Sequence, residues 1–151
     1  MYCYDYPHPA VTVDCVIVRR AREQPEVLLI QRKHAPFAGQ WAFPGGFLDV
    51  DTDSSLEAAA HRELQEETSL TGIELTQLGA WGDIDRDPRE RVITVAFLGL
   101  LSDATVPVRA ADDARDARWF PLDDPPPLAF DHAHILAAAR RRLFDGLPPL
   151  L

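Results

Sequence analysis

The stretch Arg62-Glu63-Leu64-Gln65-Glu66-Glu67, "RELQEE", sets three carboxylates within five residues. Like charges this close on one element repel unless something cationic offsets them. Either the stretch is a solvated helix face, or it is a nest for metal ions. The answer decides how the whole chain is read.

Ser55 to Thr68 reads as a helix, and the "DSS" before it offers several N-caps. At about 100° per residue, Glu63, Glu67 and Glu66 fall within an arc of roughly 100°. Leu56, Ala59 and Ala60 lie on that same side, with Leu64 at its edge, while Ala58, His61 and Gln65 point away. An ordinary surface helix, with Arg62 pairing Glu66 at i,i+4, would place its carboxylates opposite the apolar stripe. Here the two share a side. Carboxylates turned toward the protein call for a divalent cation, and oxygen-only ligands favour Mg²⁺ or Mn²⁺.

Upstream, "WAFPGGF" (41–47) reads as a short strand broken by Pro-Gly-Gly. Pro44 fixes one φ angle, and Gly45 and Gly46 allow backbone groups to approach a ligand closely. "AVTVDCVIV" (10–18) and "VLLIQRK" (27–33) read as a buried hairpin. Residues 72–84 and 91–101 read as two long strands joined by "DRDPRE", and residues 117–122 as a short one. A closing helix is expected over 131–144, capped by Asp131 and ending before Gly146. Strands and helices mix without regular βαβ alternation, so the class is α+β or a mixed-sheet α/β sandwich.

The 151 residues are most simply one domain, with 46% hydrophobic and 26% charged residues, as a globular core needs. A net charge of −9 argues against a nucleic-acid binder but not against an anionic small molecule bridged by metal. Cys3 and Cys15 are expected as free thiols. No secretory pattern and no membrane-length apolar run is evident, so a soluble cytoplasmic protein is expected.

The combination of "PGGF", an acidic loop and "RELQEET" resembles the Nudix hydrolase family. Gly46 opens the family's box, and Arg62, Glu63, Leu64, Glu66, Glu67 and Leu70 match its core. The chain departs from it in three places: two extra residues lie between Gly46 and Arg62, Ser54 beside Asp53 stands at the outlying Glu position, and Ser69 replaces the late glycine. "GQWAFPGGF", and "WFPL" followed by a last helix, extend the resemblance over nearly the full chain. It implies an α/β/α sandwich around a mixed sheet, and hydrolysis of a nucleoside diphosphate linked to another group.

On that resemblance Glu63, Glu66 and Glu67, with Gly46, would hold the metal, and Arg62 would orient the glutamates. Arg32 is the candidate phosphate clamp; the alternative is an exposed charge at a strand end. The family often takes a further carboxylate from the loop before "WFPL", where Asp112, Asp113 and Asp116 stand, and Asp113 is the one singled out. "DRDPRERV" and "PPLAFDHAHIL" look like the branch with ADP-ribose pyrophosphatases, giving AMP and ribose 5-phosphate. Gly45, Arg86 and Arg89 are further substrate-binding candidates. Tyr2, Tyr4 and Tyr6 could face adenine, pack against a homodimer partner, or stay frayed. A nucleoside triphosphate pyrophosphohydrolase clearing damaged nucleotides is the alternative enzyme. A non-catalytic ADP-ribose-sensing module is the alternative of another class. The acidic balance and the short segment after "WFPL" are expected to disfavour a DNA-binding regulator.

Overall fold

The computed structural model describes residues 1–21, 24–102, 108 and 114–145. The elements run β1 (Ala10–Ala21), β2 (Gln24–Arg32), β3 (Trp41–Ala42), β4 (Gly45–Phe47), α1 (Leu56–Thr68), β5 (Leu75–Trp81), β6 (Val92–Leu101), β7 (Ala114–Pro121) and α2 (His132–Phe144). The strands form one mixed seven-stranded sheet. Its order is β3-β2-β1-β6-β5, with β4 added against β1 and β7 against β2. β6 runs parallel to Ala10–Arg19 of β1, and every other pairing between strands is antiparallel.

The period-2 alternation of β1 divides the core between two faces. Val13, Cys15 and Ile17 pack with Ala59, Ala60 and Leu64 of α1. Val16 and Val18 pack with Ile135, Leu136 and Ala139 of α2. A helix therefore covers each face of the sheet, which is the expected α/β/α sandwich. Leu64 is fully buried, and burying such a side chain contributes roughly 1.5–3 kcal/mol. That anchor fixes the rotation of α1 and with it the direction of Glu63 and Glu67.

Several boundaries differ from expectation for local reasons. The expected strand 41–47 is two strands. β3 pairs with β2, and β4 with β1, because Pro44 and the glycines turn the chain between them. β5 starts only at Leu75, since Gly72 sits at φ +73°. β7 begins earlier than expected, because pairing with β2 continues through a bulge at Gln31/Arg32. Ser55 caps α1 by accepting from the Ala58 amide. Ser69 ends α1 at φ 66°, a left-handed position where glycine is easiest, so the replaced glycine of the box falls at the helix stop.

β1 changes neighbours along its length. Val18–Ala21 pair with β2, while Thr12–Asp14 pair with β4. The sheet opens where β2 and β4 part, and a cavity lies at that opening.

Candidate active site

The cavity holds about 410 Å³. One wall is the Pro-Gly-Gly turn and α1, contributing Gly45, Gly46, Glu63 and Glu67. The other is cationic and aromatic, with Arg32, Lys33, Arg86, Arg89, Phe47 and Phe130. Thr12 and Asp14 of β1 line it as well.

On the acidic wall, Glu67 is buried and its Oε2 accepts the Gly45 amide at 3.2 Å. Glu63 approaches the neighbouring glycine so closely that a Cβ on Gly46 would lie 2.6 Å from its Oε1. Burial pushes the Glu63 carboxyl above its ordinary range, and Glu66 and Asp53 add to this against the lowering effect of Arg62. The Arg62 guanidinium is the hub. It donates twice to Asp53 at 2.8 Å, to Glu63 at 2.9 Å, to Glu66 at 3.1 Å and to the Phe47 carbonyl at 3.2 Å. The Asp53 carboxylate, only 3% exposed, is held below its usual range by that hydrogen bonding. An aspartate next to the vacated Glu position thus supplies the anchor for Arg62.

Glu66 departs from the inward arc expected of it. Its side chain is 47% exposed against 12% for Glu63, it does not line the cavity, and it makes the i,i+4 pair with Arg62 typical of a surface helix. It projects from the arc's outer edge, because the buried Leu64 rotates Glu63 and Glu67 inward first. The donor chemistry suits a hard divalent cation: carboxylates one helical turn apart, one desolvated, beside a turn with no side chains. Among the described residues no three acidic, histidine or cysteine side chains already converge as a cage, since Glu63 and Glu66 are both turned to Arg62.

On the cationic wall, the Arg32 guanidinium lies 4.9 Å from the Phe130 ring and donates to the Pro36 carbonyl. Arg89 lies 4.9 Å from Phe47 and 5.8 Å from Phe130. Burial and the facing Arg89 charge hold Arg32 below the usual arginine range. Arg89 is fixed by two hydrogen bonds to the buried Asp87, at 3.0 and 2.7 Å. Arg86 lines the cavity, but its buried guanidinium forms a bidentate pair with Asp131, at 2.9 and 2.7 Å. That pair corrects the expected cap on α2: Asp131 stands at the N-cap, yet its side chain makes no capping bond.

The remaining candidates lie elsewhere. Asp116 accepts from Arg118 and from the Ala117 amide and does not line the cavity; Asp112 and Asp113 lie outside the described residues. Tyr2 and Tyr4 stack on each other, and the Tyr2 hydroxyl bonds Asp51; none of the three tyrosines lines the cavity. The cysteines are free thiols, Cys3 exposed and Cys15 buried. No helix among the described residues is long and apolar enough to cross a membrane.

Sequence reading missed Asp14, Asp87, Phe130 and His132. One signal was present, an aspartate in the middle of the apolar run "AVTVDCVIV". Such a residue is buried only with partners. Asp14 is near the His132 Nε2, at 3.5 Å, and accepts from Thr94. Burial raises its carboxyl, but His132, Thr94 and Arg86 together bring it below the ordinary range.

A sandwich with paired helix carboxylates facing arginines across a cleft suits a hydrolase acting on phosphoric anhydride bonds, the class that the family match and a curated relative support. The NUDIX domain model matches residues 8–143, and the chain belongs to the Nudix family. It is 42% identical over 131 residues to the ADP-ribose pyrophosphatase of Methanocaldococcus jannaschii, covering 87% of this chain and 73% of that protein. It is 37% identical over 141 residues to the ADPR responsive transcriptional repressor NtrR of Acinetobacter baylyi, covering 92% of this chain and 56% of the repressor. The NUDIX domain of Shewanella oneidensis NrtR, solved in complex with ADP ribose, superposes with a TM-score of 0.86 at 37% identity, covering 93% of this chain and 94% of that one.

Proposed function

We propose that this chain hydrolyses ADP-ribose to AMP and ribose 5-phosphate. The observation that carries the reading is the opposition of Glu63 and Glu67 to Arg32 and Arg89 across one cavity. The likeness to a pyrophosphatase named for ADP-ribose and to a domain solved with that ligand supports the substrate.

A diphosphate enters with its charge toward the guanidiniums of Arg32 and Arg89, which suit phosphate oxygens geometrically. Glu63 and Glu67, with Glu66 at the edge and the Gly46 backbone beside them, would hold Mg²⁺ or Mn²⁺. When bound, the metal neutralises phosphate charge and lowers the pKa of water. Arg62, anchored on Asp53, keeps Glu63 aimed at the cavity. One water is consumed: its oxygen bonds to one phosphorus, the bridging P–O bond breaks with the bridging oxygen leaving on the other phosphate, and the water's two protons pass to the product phosphates or to solvent.

The test is a panel of ADP-ribose, ADP, ATP and oxidised dGTP with Mg²⁺ or Mn²⁺, products separated by chromatography. ADP-ribose is expected to show the highest kcat/KM, and chelation with EDTA to abolish turnover. Glu67→Gln and Glu63→Gln should each lose roughly two or more orders of magnitude in rate with the fold retained. A preference for a triphosphate assigns the chain to nucleotide clearance instead. The repressor relative favours a second reading, an ADP-ribose sensor. Tight ADP-ribose binding without turnover in either metal would select it.

A further inference from the structure

Within the motif "FDHAHIL", His132 has no role in the chemistry above, yet its side chain is one of the few buried polar ones among the described residues. It opens α2, and its imidazole lies 4.8 Å from the Phe43 ring in a stacked arrangement. Its Nδ1 accepts the Phe43 amide at 3.1 Å. A backbone amide only donates, so Nδ1 carries the lone pair and the proton sits on Nε2, facing Asp14.

Phe43 is the first of three consecutive anchors on the turn that forms the acidic wall. Its amide bonds α2 through His132. The Pro44 carbonyl accepts the Cys15 amide of β1 at 2.7 Å. The Gly45 amide donates to Glu67 of α1. β3 ends at Ala42, so no strand neighbour serves the Phe43 amide, and His132 is its acceptor. The start of α2 is itself held by the Arg86–Asp131 pair one residue away.

We propose that His132 is a positioning residue: it accepts the Phe43 amide and so fixes the Pro44–Gly46 turn against Glu67 and Glu63. The proposal rests on the reading of the cavity as a hydrolytic site. The chemistry needed is an acceptor at the Nδ1 position. Asparagine reproduces that acceptor, whereas phenylalanine keeps the stacking and removes it.

The experiment compares His132→Asn and His132→Phe with the wild type for ADP-ribose hydrolysis, and for hydrogen exchange at the Phe43 and Gly45 amides. His132→Phe is expected to lose roughly ten- to a hundredfold in kcat with KM little changed, the scale of a small misplacement. Its two amides should lose protection, and His132→Asn should restore most of both. Equal kcat in the Phe variant, or equal loss in both variants, overturns the proposal. Nitrogen-15 spectra of the wild type give a readout independent of folding in the variants. The Nε2-protonated tautomer is expected at His132, and the Nδ1-protonated form overturns the proposal. If the wild type turns over no nucleotide, the hydrolytic reading fails, while exchange and tautomer still decide whether His132 holds the turn.

Discussion

Gly45 and Gly46 are adjacent, yet a methyl group added to each meets a different obstacle. At Gly45 a Cβ would sit 2.1 Å from the Val13 carbonyl oxygen, which is backbone in the central strand and cannot move alone. At Gly46 it would meet only the Glu63 carboxylate, at 2.6 to 2.8 Å, the far end of a flexible side chain. Gly45→Ala should therefore destabilise the fold by about 3 kcal/mol, the upper part of the overpacking range. Gly46→Ala should leave the melting temperature within a few degrees while lowering turnover at least tenfold, because Glu63 must swing away from the position the metal needs. Thermal melts and steady-state rates on the two variants separate the cases. A folded Gly46→Ala protein with full activity would show that the orientation of Glu63 does not matter.

At the scale of elements, the loop between β5 and β6 is joined to the start of α2 by a buried ion pair. Arg86 is nearly inaccessible, and both of its bonds to Asp131 are short. Removing one partner of a buried pair leaves an uncompensated charge, which costs about 3–5 kcal/mol. Arg86→Ala should lose roughly 3 kcal/mol, since Asp131 is slightly more open to water; urea unfolding measures it, and a loss below about 1 kcal/mol would show that the pair does not brace the loop. This pair also marks the limit of what the sequence made legible. β1, β2, β6 and both helices could be read from local pattern, because alternation and the 3.6-residue period are local properties. So could the carboxylate face of α1, apart from Glu66. Partners 45 residues apart leave no such trace: Asp131 reads as a cap and Arg86 as a substrate-binding candidate, and neither reading contains their pairing. The same holds for His132 and Phe43, 89 residues apart, and for the division of residues 41–47 between two neighbours in the sheet.

For the whole molecule, the 24 acidic residues make stability depend on pH through those carboxyls whose pKa differs between the folded and unfolded chain. Among the described residues, three aspartates have carboxyls held below their ordinary range. For Asp14, burial opposes the shift but His132, Thr94 and Arg86 outweigh it. For Asp53 the Arg62 hydrogen bonds dominate. For Asp87 burial is again outweighed, here by Arg89. A carboxyl with a lower pKa in the folded state is protonated first in the unfolded chain as the pH falls. The unfolded chain then binds more protons, so stability rises with pH through that window. Each of these groups contributes fully above the ordinary aspartate value of about 3.9 and loses its contribution as the pH falls through its lower folded value. Glu63 has the opposite sign: its raised carboxyl favours folding below the ordinary glutamate value and loses that contribution as the pH rises through its folded one. Three groups against one predict a net loss of stability on acidification below about pH 4. Asp14→Asn tests the aspartate of the central strand β1. The variant should be less stable than the wild type at pH 7, because Arg86 loses a nearby negative charge and the His132 Nε2–H faces a neutral amide in place of a carboxylate. The gap should narrow steadily from about pH 4 toward pH 2, as the wild-type carboxyl is neutralised too. Urea midpoints across that range measure the gap. A gap that stays constant would show that Asp14 contributes through its shape and hydrogen bonds, not its charge.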